Sequence, residues 1–220
     1  MTTNDANRRA VFDRVRSALA GKADDSARRA AVAERLASPP VHKKPSRVEK
    51  TGEDRIAQFR AYLEGQSVVV HDAATRDDIP GLIAAYLRSQ NAPLRVRHGD
   101  DPLFAALPWQ KEPALDRSTG RAAPDDEVGL SHATAGISET GTLVLLSGPD
   151  NPVTVSFMPE THIVVVDAAS VTGSYEEAWA ALRQKRGADG LSRTVNFISG
   201  PSRTGDIGGR IVMGAHGPKK

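Results

Sequence analysis

The residues of this 220-residue chain best suited to chemistry lie in two short polar stretches. The first is Glu139-Thr140-Gly141-Thr142, a carboxylate and two hydroxyls around a glycine. Gly141 lets backbone come close to a ligand or to another loop, and the threonines offer hydroxyls on either side. A glycine bulge whose threonines satisfy local backbone is the competing structural reading. The second stretch is Ser199-Gly200-Pro201-Ser202-Arg203-Thr204-Gly205-Asp206, closing with Gly214-Ala215-His216-Gly217-Pro218. Gly200 and Pro201 stop the apolar strand Val195–Ile198, and Ser202 or Thr204 is placed to cap a short helix through Asp206-Ile207, ending at Gly208-Gly209. A strand, a Gly-rich turn and a helix start would leave several N–H groups pointing outward beside Arg203, which suits a carboxylate or phosphate. The alternative is a tight turn braced by Arg203 through Asp206 or a carbonyl.

Other familiar chemistries fail on spacing. Gly136 to Thr142 has the glycine spacing of a phosphate loop, but a threonine stands where the lysine is required. Gly129-Leu130-Ser131-His132-Ala133 misses the last glycine of a nucleophile elbow. Gly205, Gly208 and Gly209 do not make a dinucleotide fingerprint. The six histidines (42, 71, 98, 132, 162 and 216) include no pair at metal-ligand spacing on one helix. No metal site is expected. There are no cysteines, which removes disulfides, cysteine nucleophiles and any iron–sulfur cluster held by cysteines of this chain.

Composition bounds the rest. The length allows one large domain, or a domain with an appendage. No apolar run approaches the eighteen or so residues of a membrane span, and no signal-like apolar segment follows the start, so a cytoplasmic protein is expected. Charge is unevenly spread. Residues 1–50 carry 12 Lys/Arg against 6 Asp/Glu, residues 122–182 none against 9, and residues 183–220 carry 8 against 2. A long stretch without cations speaks against a nucleic-acid surface. It fits basic ends that meet an acidic partner or face.

The elements that must position the two stretches follow from periodicity. Residues 4–20 predict an amphipathic helix ended by Gly21, and residues 26–37 an Ala- and Arg-rich one. The prolines at 39, 40 and 45 mark a linker, so the expected division is 1–50, helices and linker, and 51–220, the α/β domain. Within that domain, helices are predicted over 54–64, 75–88 (capped by Thr75 and Asp78) and 174–183 (capped by Ser174 and Glu177). Strands are predicted at 67–70, 94–97, 142–146, 163–166 and 195–198, mainly in one sheet. Residues 99–127 have little period, and Trp109 reads as a packing anchor. This alternation argues for a layered α/β fold with a mostly parallel sheet. In such sheets loops at strand ends converge on ligands, so the two polar stretches are expected to meet, with Arg203 or His216 partnering Glu139.

In order and spacing, Glu139-Thr140-Gly141-Thr142, Pro159 with His162-Ile163-Val164-Val165-Val166, Ile198 to Ile207, and Gly214 with His216-Gly217-Pro218 resemble the lactate utilization protein C family. These are small stand-alone LUD-domain proteins, and the resemblance spans nearly the whole chain. It implies a CoA-transferase-like α/β fold, similar to ribose-5-phosphate isomerase and glucosamine-6-phosphate deaminase, with an N-terminal helical extension. It also implies a role in bacterial oxidation of L-lactate to pyruvate, beside partner subunits that carry the iron–sulfur clusters. Two departures stand out: Gly208 where relatives commonly have an acidic residue, and no arginine between Arg121 and Arg183.

Two functions are therefore expected to compete. One is a cluster-free subunit of a lactate-oxidising iron–sulfur complex, binding a small anionic ligand or a partner. The other is a self-sufficient CoA-transferase-like enzyme acting on a carboxylate or sugar-phosphate, with Glu139 as the candidate acid, base or nucleophile. The ligand-site candidates are Thr140, Gly141, Thr142, Gly200, Ser202, Arg203, Thr204, Asp206 and His216.

Overall fold

The computed structural model describes residues 3–20, 26–39, 43–186, 190–206 and 208–220. The expected helix stop at Gly21, Pro40 and His42 of the linker, and Ile207 lie outside the described residues. The chain divides into two units, Met1–Lys43 and Lys44–Lys220. In the first, α1 (Thr3–Leu19) and α2 (Ser26–Ala37) form where the helical spacing predicts them. Val11, Phe12, Val15 and Leu19 of α1 are exposed, and Arg8 and Arg16 lie over the Phe12 ring. Nothing in α2 is buried.

The second unit begins its packing at the buried Val48 and runs α3 (Gly52–Gly65), α4 (Ile79–Ser89), β1 (Arg95–His98), α5 (Pro102–Ala106), β2 (Asp116–Thr119), β3 (Val128–Ala133), β4 (Ala135–Ile137) and β5 (Thr142–Leu146). It continues with α6 (Val153–Phe157), β6 (Thr161–Val166), β7 (Val171–Thr172), α7 (Tyr175–Arg186), β8 (Val195–Ile198), β9 (Arg203–Thr204) and β10 (Val212–Met213). Among the described residues no helix is long and apolar enough to cross a membrane.

The continuous apolar strands form because both of their faces are covered. A parallel sheet runs in the order β2-β1-β3-β6, and a mixed sheet runs β7-β4-β5-β8. Side chains of one strand alternate between faces. Ile163 and Val165 of β6 therefore pack with α4, α5 and Trp109, while Val164 and Val166 turn the other way, toward α3 and Leu143 and Leu145 of the mixed sheet. Val144 and Leu146 then face Ala178 and Leu182 of α7. The order is helices, parallel sheet, a core entered by α3, mixed sheet, helix. This is a layered α/β fold, as the alternation predicts.

Several expectations are corrected. The strands do not share one sheet: β1 and β6 belong to the parallel sheet, β5 and β8 to the mixed one. Ser67–Val70 joins no ladder; the Val68 N–H is held by the Leu63 carbonyl at the end of α3, and Val69 is 59% exposed. The short helix expected after Ser202 is replaced by the β9–β10 pair, because Gly208 and Gly209 both take positive φ and turn the chain back. The weakly patterned residues 99–127 hold α5 and β2. Trp109 is buried as expected, its indole N–H donating to the Phe104 carbonyl at 2.6 Å.

The predicted helix starts form with their caps. Asp78 Oδ2 accepts both the N–H (2.8 Å) and the hydroxyl (2.9 Å) of Thr75. Ser174 Oγ accepts the Glu177 N–H at 3.3 Å, and the Glu177 carboxylate reaches back to the Gly173 N–H at 2.8 Å.

Candidate functional site

The turn between β4 and β5 carries the first polar stretch. Glu139 is buried, 7% exposed, and both of its oxygens are engaged: Oε1 accepts the Tyr175 N–H at the start of α7 (3.1 Å), and Oε2 faces the Arg47 guanidinium (3.3 Å). A carboxylate there complements the helix dipole. Its partner is Arg47, not Arg203 or His216 as expected. Gly141 adopts φ +62°, and a Cβ on it would lie 2.7 Å from Tyr62 Cβ and 2.8 Å from the Leu63 nitrogen. The glycine is required because this turn is pressed against α3. Thr142 is fully buried, and its hydroxyl lies 2.7 Å from that of Thr140, 3.0 Å from the Tyr175 hydroxyl and 2.6 Å from Ser199 Oγ.

That last bond joins the two stretches. Beyond Ser199, Gly200 has φ +96°, and a Cβ would come within 2.8 Å of Gln66 Cβ, just past the end of α3. Arg203 reaches the same place. Its Nη2 donates to the Gln66 carbonyl (2.7 Å) and to Ser67 Oγ (3.0 Å), and its Nη1 lies 3.5 Å from Gln66 Oε1. The guanidinium thus caps the Gln66 carbonyl at the C-terminus of α3. Ser202 organises the chain's closing segment: its N–H donates to the Pro218 carbonyl, its carbonyl accepts the Gly214 N–H, and its hydroxyl accepts the His216 N–H at 3.3 Å. Thr204 Oγ1 accepts the Asp206 N–H at 3.2 Å. The sequence candidates therefore fall into a hydroxyl cluster (Thr140, Thr142), an α3 joint (Gly141, Gly200, Arg203) and a hairpin (Ser202, Thr204, Asp206, His216). Tyr175 and Ser199 complete the hydroxyl cluster; no spacing pattern in the sequence points to Tyr175.

Beside this joint lies a cavity of about 850 Å³, walled by apolar residues such as Leu63, Val68, Val164 and Ile198. Such a volume is within the range of small-molecule sites. Arg60, Arg76, His216 and Lys219 also line it. His162 and Ser156 are among its polar lining residues. His162 Nε2 lies 3.0 Å from Ser131 Oγ, which is 3.4 Å from Ser156 Oγ. Burial pushes the imidazole down to about 4, so the ring is neutral at pH 7 and hydrogen-bonds without charge.

A second polar group sits where the parallel strands end. The chain leaves β1 for β2 on one side and returns to β3 on the other, which makes the crevice between β1 and β3 a topological switch point. Asp101, just after β1, caps α5 through the Leu103 N–H (2.7 Å) and holds His132 Nδ1 at 3.1 Å. His132 Nε2 is 3.8 Å from Asp167, which pairs with Arg76 at 3.2 Å. These four residues are far apart in sequence, so only strand order could have gathered them. Among the described residues no group of three or more His, Asp or Glu side chains is arranged to hold a metal.

The family model of the LUD domain matches residues 56–220. A lactate utilization protein C of Geobacillus kaustophilus is 35% identical over 138 residues, covering 55% of this chain and 58% of that protein. One from Anoxybacillus flavithermus is 29% identical over 161 residues, 70% of each chain. An uncharacterized protein of Neisseria meningitidis serogroup B is 38% identical over 132 residues, 58% of this chain and 56% of that one. The match thus spans little more than half the length of the first and third of these relatives. Among solved structures, a DUF162 family protein from Deinococcus radiodurans superimposes with a TM-score of 0.59 at 23% identity, covering 77% of this chain and 94% of that one, which supports the α/β fold. With the LUD model matched over three quarters of its length, this chain belongs to the LUD-domain family.

Proposed function

We propose that this protein takes part in lactate utilization, as a cluster-free subunit of a cytoplasmic, iron–sulfur-dependent system that oxidises L-lactate to pyruvate. Relatives named lactate utilization protein C support the pathway. The observation that carries the division of labour is the state of Glu139. The one carboxylate the sequence offers as acid, base or nucleophile has both oxygens occupied by Arg47 and the Tyr175 N–H. A carboxylate held through both oxygens, only 7% exposed and outside the lining of the cavity is poorly placed to meet a substrate, which weighs against a self-sufficient CoA-transferase-like enzyme. Electrons from lactate need an acceptor. Without cysteine, this chain leaves cysteine-ligated clusters to partner subunits.

In this reading the chain contributes binding. The cavity beside the α3 joint is the place for a small anionic ligand, which would share Arg60, Arg76 and Lys219 with the carboxylates they already pair with, Asp72, Asp167 and Glu160. Partner subunits dock on the same protein. The test is growth. A strain lacking this gene is expected to lose growth on L-lactate while keeping growth on pyruvate, and the intact gene is expected to restore it. Normal growth of the deletion strain on L-lactate would overturn the proposal.

A further inference from the structure

Three residues with no part in the hydroxyl cluster or the α3 joint make a polar floor for the cavity. β3 and β6 lie side by side, with Ser131 opposite Val164. Side chains two apart on a strand share a face, so His162 and Val164 of β6 and Ser131 of β3 all turn the same way. His162 and Val164 line the cavity on that face. Helix α6 is pressed onto β3 there, because a Cβ on Gly129 would lie 2.1 Å from the Val155 carbonyl oxygen and none is present. This sets Ser156 beside Ser131. Ser156 Oγ lies 3.4 Å from Ser131 Oγ, which lies 3.0 Å from His162 Nε2.

One end of that chain is free. His162 is tied through Nε2, and its Nδ1 has no hydrogen-bond partner among the described residues. Nor is it sealed: among the described residues, the side-chain atoms sealed without a partner are Gln58 Oε1 and His98 Nε2. Nδ1 therefore opens into the cavity that the ring lines. Ser131 is 1% exposed and stands outside that lining, so the Ser–His pair is not set to attack a ligand; the serine fixes the ring. Burial keeps the imidazole neutral at pH 7. A neutral imidazole carries one N–H, and Ser131 can donate to Nε2 or accept from it, so Nδ1 is an acceptor in one arrangement and a donor in the other. A hydroxyl group, both donor and acceptor, satisfies either.

Walls and rim indicate what carries that hydroxyl. A cavity of about 150 Å³ already holds benzene, and lactate has no more heavy atoms than benzene. This cavity is about 850 Å³, with Phe59, Leu63, Val68, Val164 and Ile198 among its walls. Lactate would leave most of that apolar surface uncovered. The charged lining residues are Arg60, Arg76, Lys219 and Lys220 against Asp72 and Asp167, an excess of cations that favours an anion. We propose that the cavity binds a hydroxylated carboxylate with an apolar body larger than lactate, its hydroxyl on His162 Nδ1 and its carboxylate among the basic lining residues.

The inference rests on the cavity serving as the ligand site of the proposed role. It is tested on the purified full chain with 6-hydroxy-2-naphthoate, whose fluorescence reports binding. Two relatives of this probe isolate its ends: 2-naphthoate lacks the hydroxyl, and the methyl ester of the probe lacks the charge. The hydroxyl is expected to tighten binding about three- to tenfold in the wild type, the scale of one neutral hydrogen bond, and not at all in His162→Phe. The ester is expected to bind several-fold more weakly than the acid, and an excess of L-lactate to leave the probe bound. Equal binding of the probe and 2-naphthoate overturns the proposal, as does a hydroxyl preference that survives in His162→Phe. An ester that binds as tightly as the acid, or displacement of the probe by L-lactate, overturns it as well. So does an absence of binding by all three compounds; joined to loss of growth on L-lactate in the deletion strain, that result leaves the role in lactate utilization standing. Should His162→Phe fail to fold, the three compounds on the wild type decide alone.

Discussion

Arg203 separates a ligand-binding role from a bracing role, because the two predict different consequences of one substitution. In Arg203→Ala, the Gln66 carbonyl and Ser67 Oγ lose their charged donor. A hydrogen bond to a charged group contributes about 1.5–3 kcal/mol. The guanidinium is solvent-facing, and water can replace part of what is lost, so a net destabilisation of about 1–2 kcal/mol is expected. For a domain of this size each kcal/mol lowers the midpoint of thermal unfolding by about 2–4 °C, giving a fall of roughly 2–8 °C. Arg203→Lys is expected to recover only part of this, since a single ammonium can serve the carbonyl and the hydroxyl that Nη2 serves but leaves Gln66 Oε1, 3.5 Å from Nη1, without its donor. Differential scanning calorimetry on wild type and both variants reads the effect directly. A Tm unchanged within a degree in Arg203→Ala would refute the brace and return Arg203 to the ligand-site candidates.

Three further perturbations follow from the same joint and cavity. Gly141→Ala combines a left-handed φ with a Cβ only 2.7 Å from Tyr62 Cβ, so a loss of about 2–4 kcal/mol is expected in urea denaturation. Thr142→Val removes the shared hydroxyl from a buried cluster and leaves Ser199, Tyr175 and Thr140 each short of a partner, which should cost about 1–3 kcal/mol by the same assay. His162 should make stability depend on pH. Burial holds its folded pKa at about 4, below the ordinary histidine value of 6.5, so the unfolded chain takes up the proton first. Stability is therefore full above about pH 6.5 and falls as pH drops toward 4. The shift sets an upper bound of about 3 kcal/mol, and the ring's partial exposure to the cavity reduces this to about 1–3 kcal/mol. His162→Gln should flatten that part of the profile relative to wild type, and parallel profiles for the two proteins would show that His162 contributes nothing.

The parts of the fold legible in the sequence were those with one strong period or one strong composition. Helices α3, α4 and α7 announced themselves by spacing and caps, and β5, β6 and β8 by apolar runs. Strand β3 did not, because Gly129, Ser131 and His132 interrupt its apolar character. The structure gives the reason for the glycine: a Cβ at Gly129 would lie 2.1 Å from the Val155 carbonyl oxygen of α6. Nor can periodicity say which sheet a strand joins, and β5 and β6 look alike in sequence though they lie in different sheets. The charge distribution suggested that the basic ends meet an acidic partner or face, and three carboxylates of the block 122–182 do pair with those ends: Glu139 with Arg47, Glu177 with Lys44 and Glu160 with Lys219. Asp126 and Asp167 pair with Arg97 and Arg76 of the intervening part. Each pair joins residues distant in sequence, and pairing of that kind leaves no local pattern.

For the candidate site, the sequence singled out two loops that touch in the structure, but not the groups that they face. Thr142 and the 199–203 stretch do meet, through Ser199, but Arg203 and the two glycines turn toward α3. The turn chemistry was readable; the approach of a helix that lies far upstream, 137 residues before Arg203 in the case of Gln66, was not. The Asp101–His132–Asp167–Arg76 group was hidden for the same reason, since it exists only once β1, β3 and β6 stand side by side.

The proposed role, action in lactate oxidation with cluster-bearing partners and not alone, can be measured by purifying a tagged copy from its native host and following L-lactate-dependent dye reduction beside the iron content of each fraction. Activity and iron are expected to travel together with co-purified partner proteins, and the chain alone is expected to show neither. Lactate-dependent turnover by the isolated, iron-free chain would contradict it.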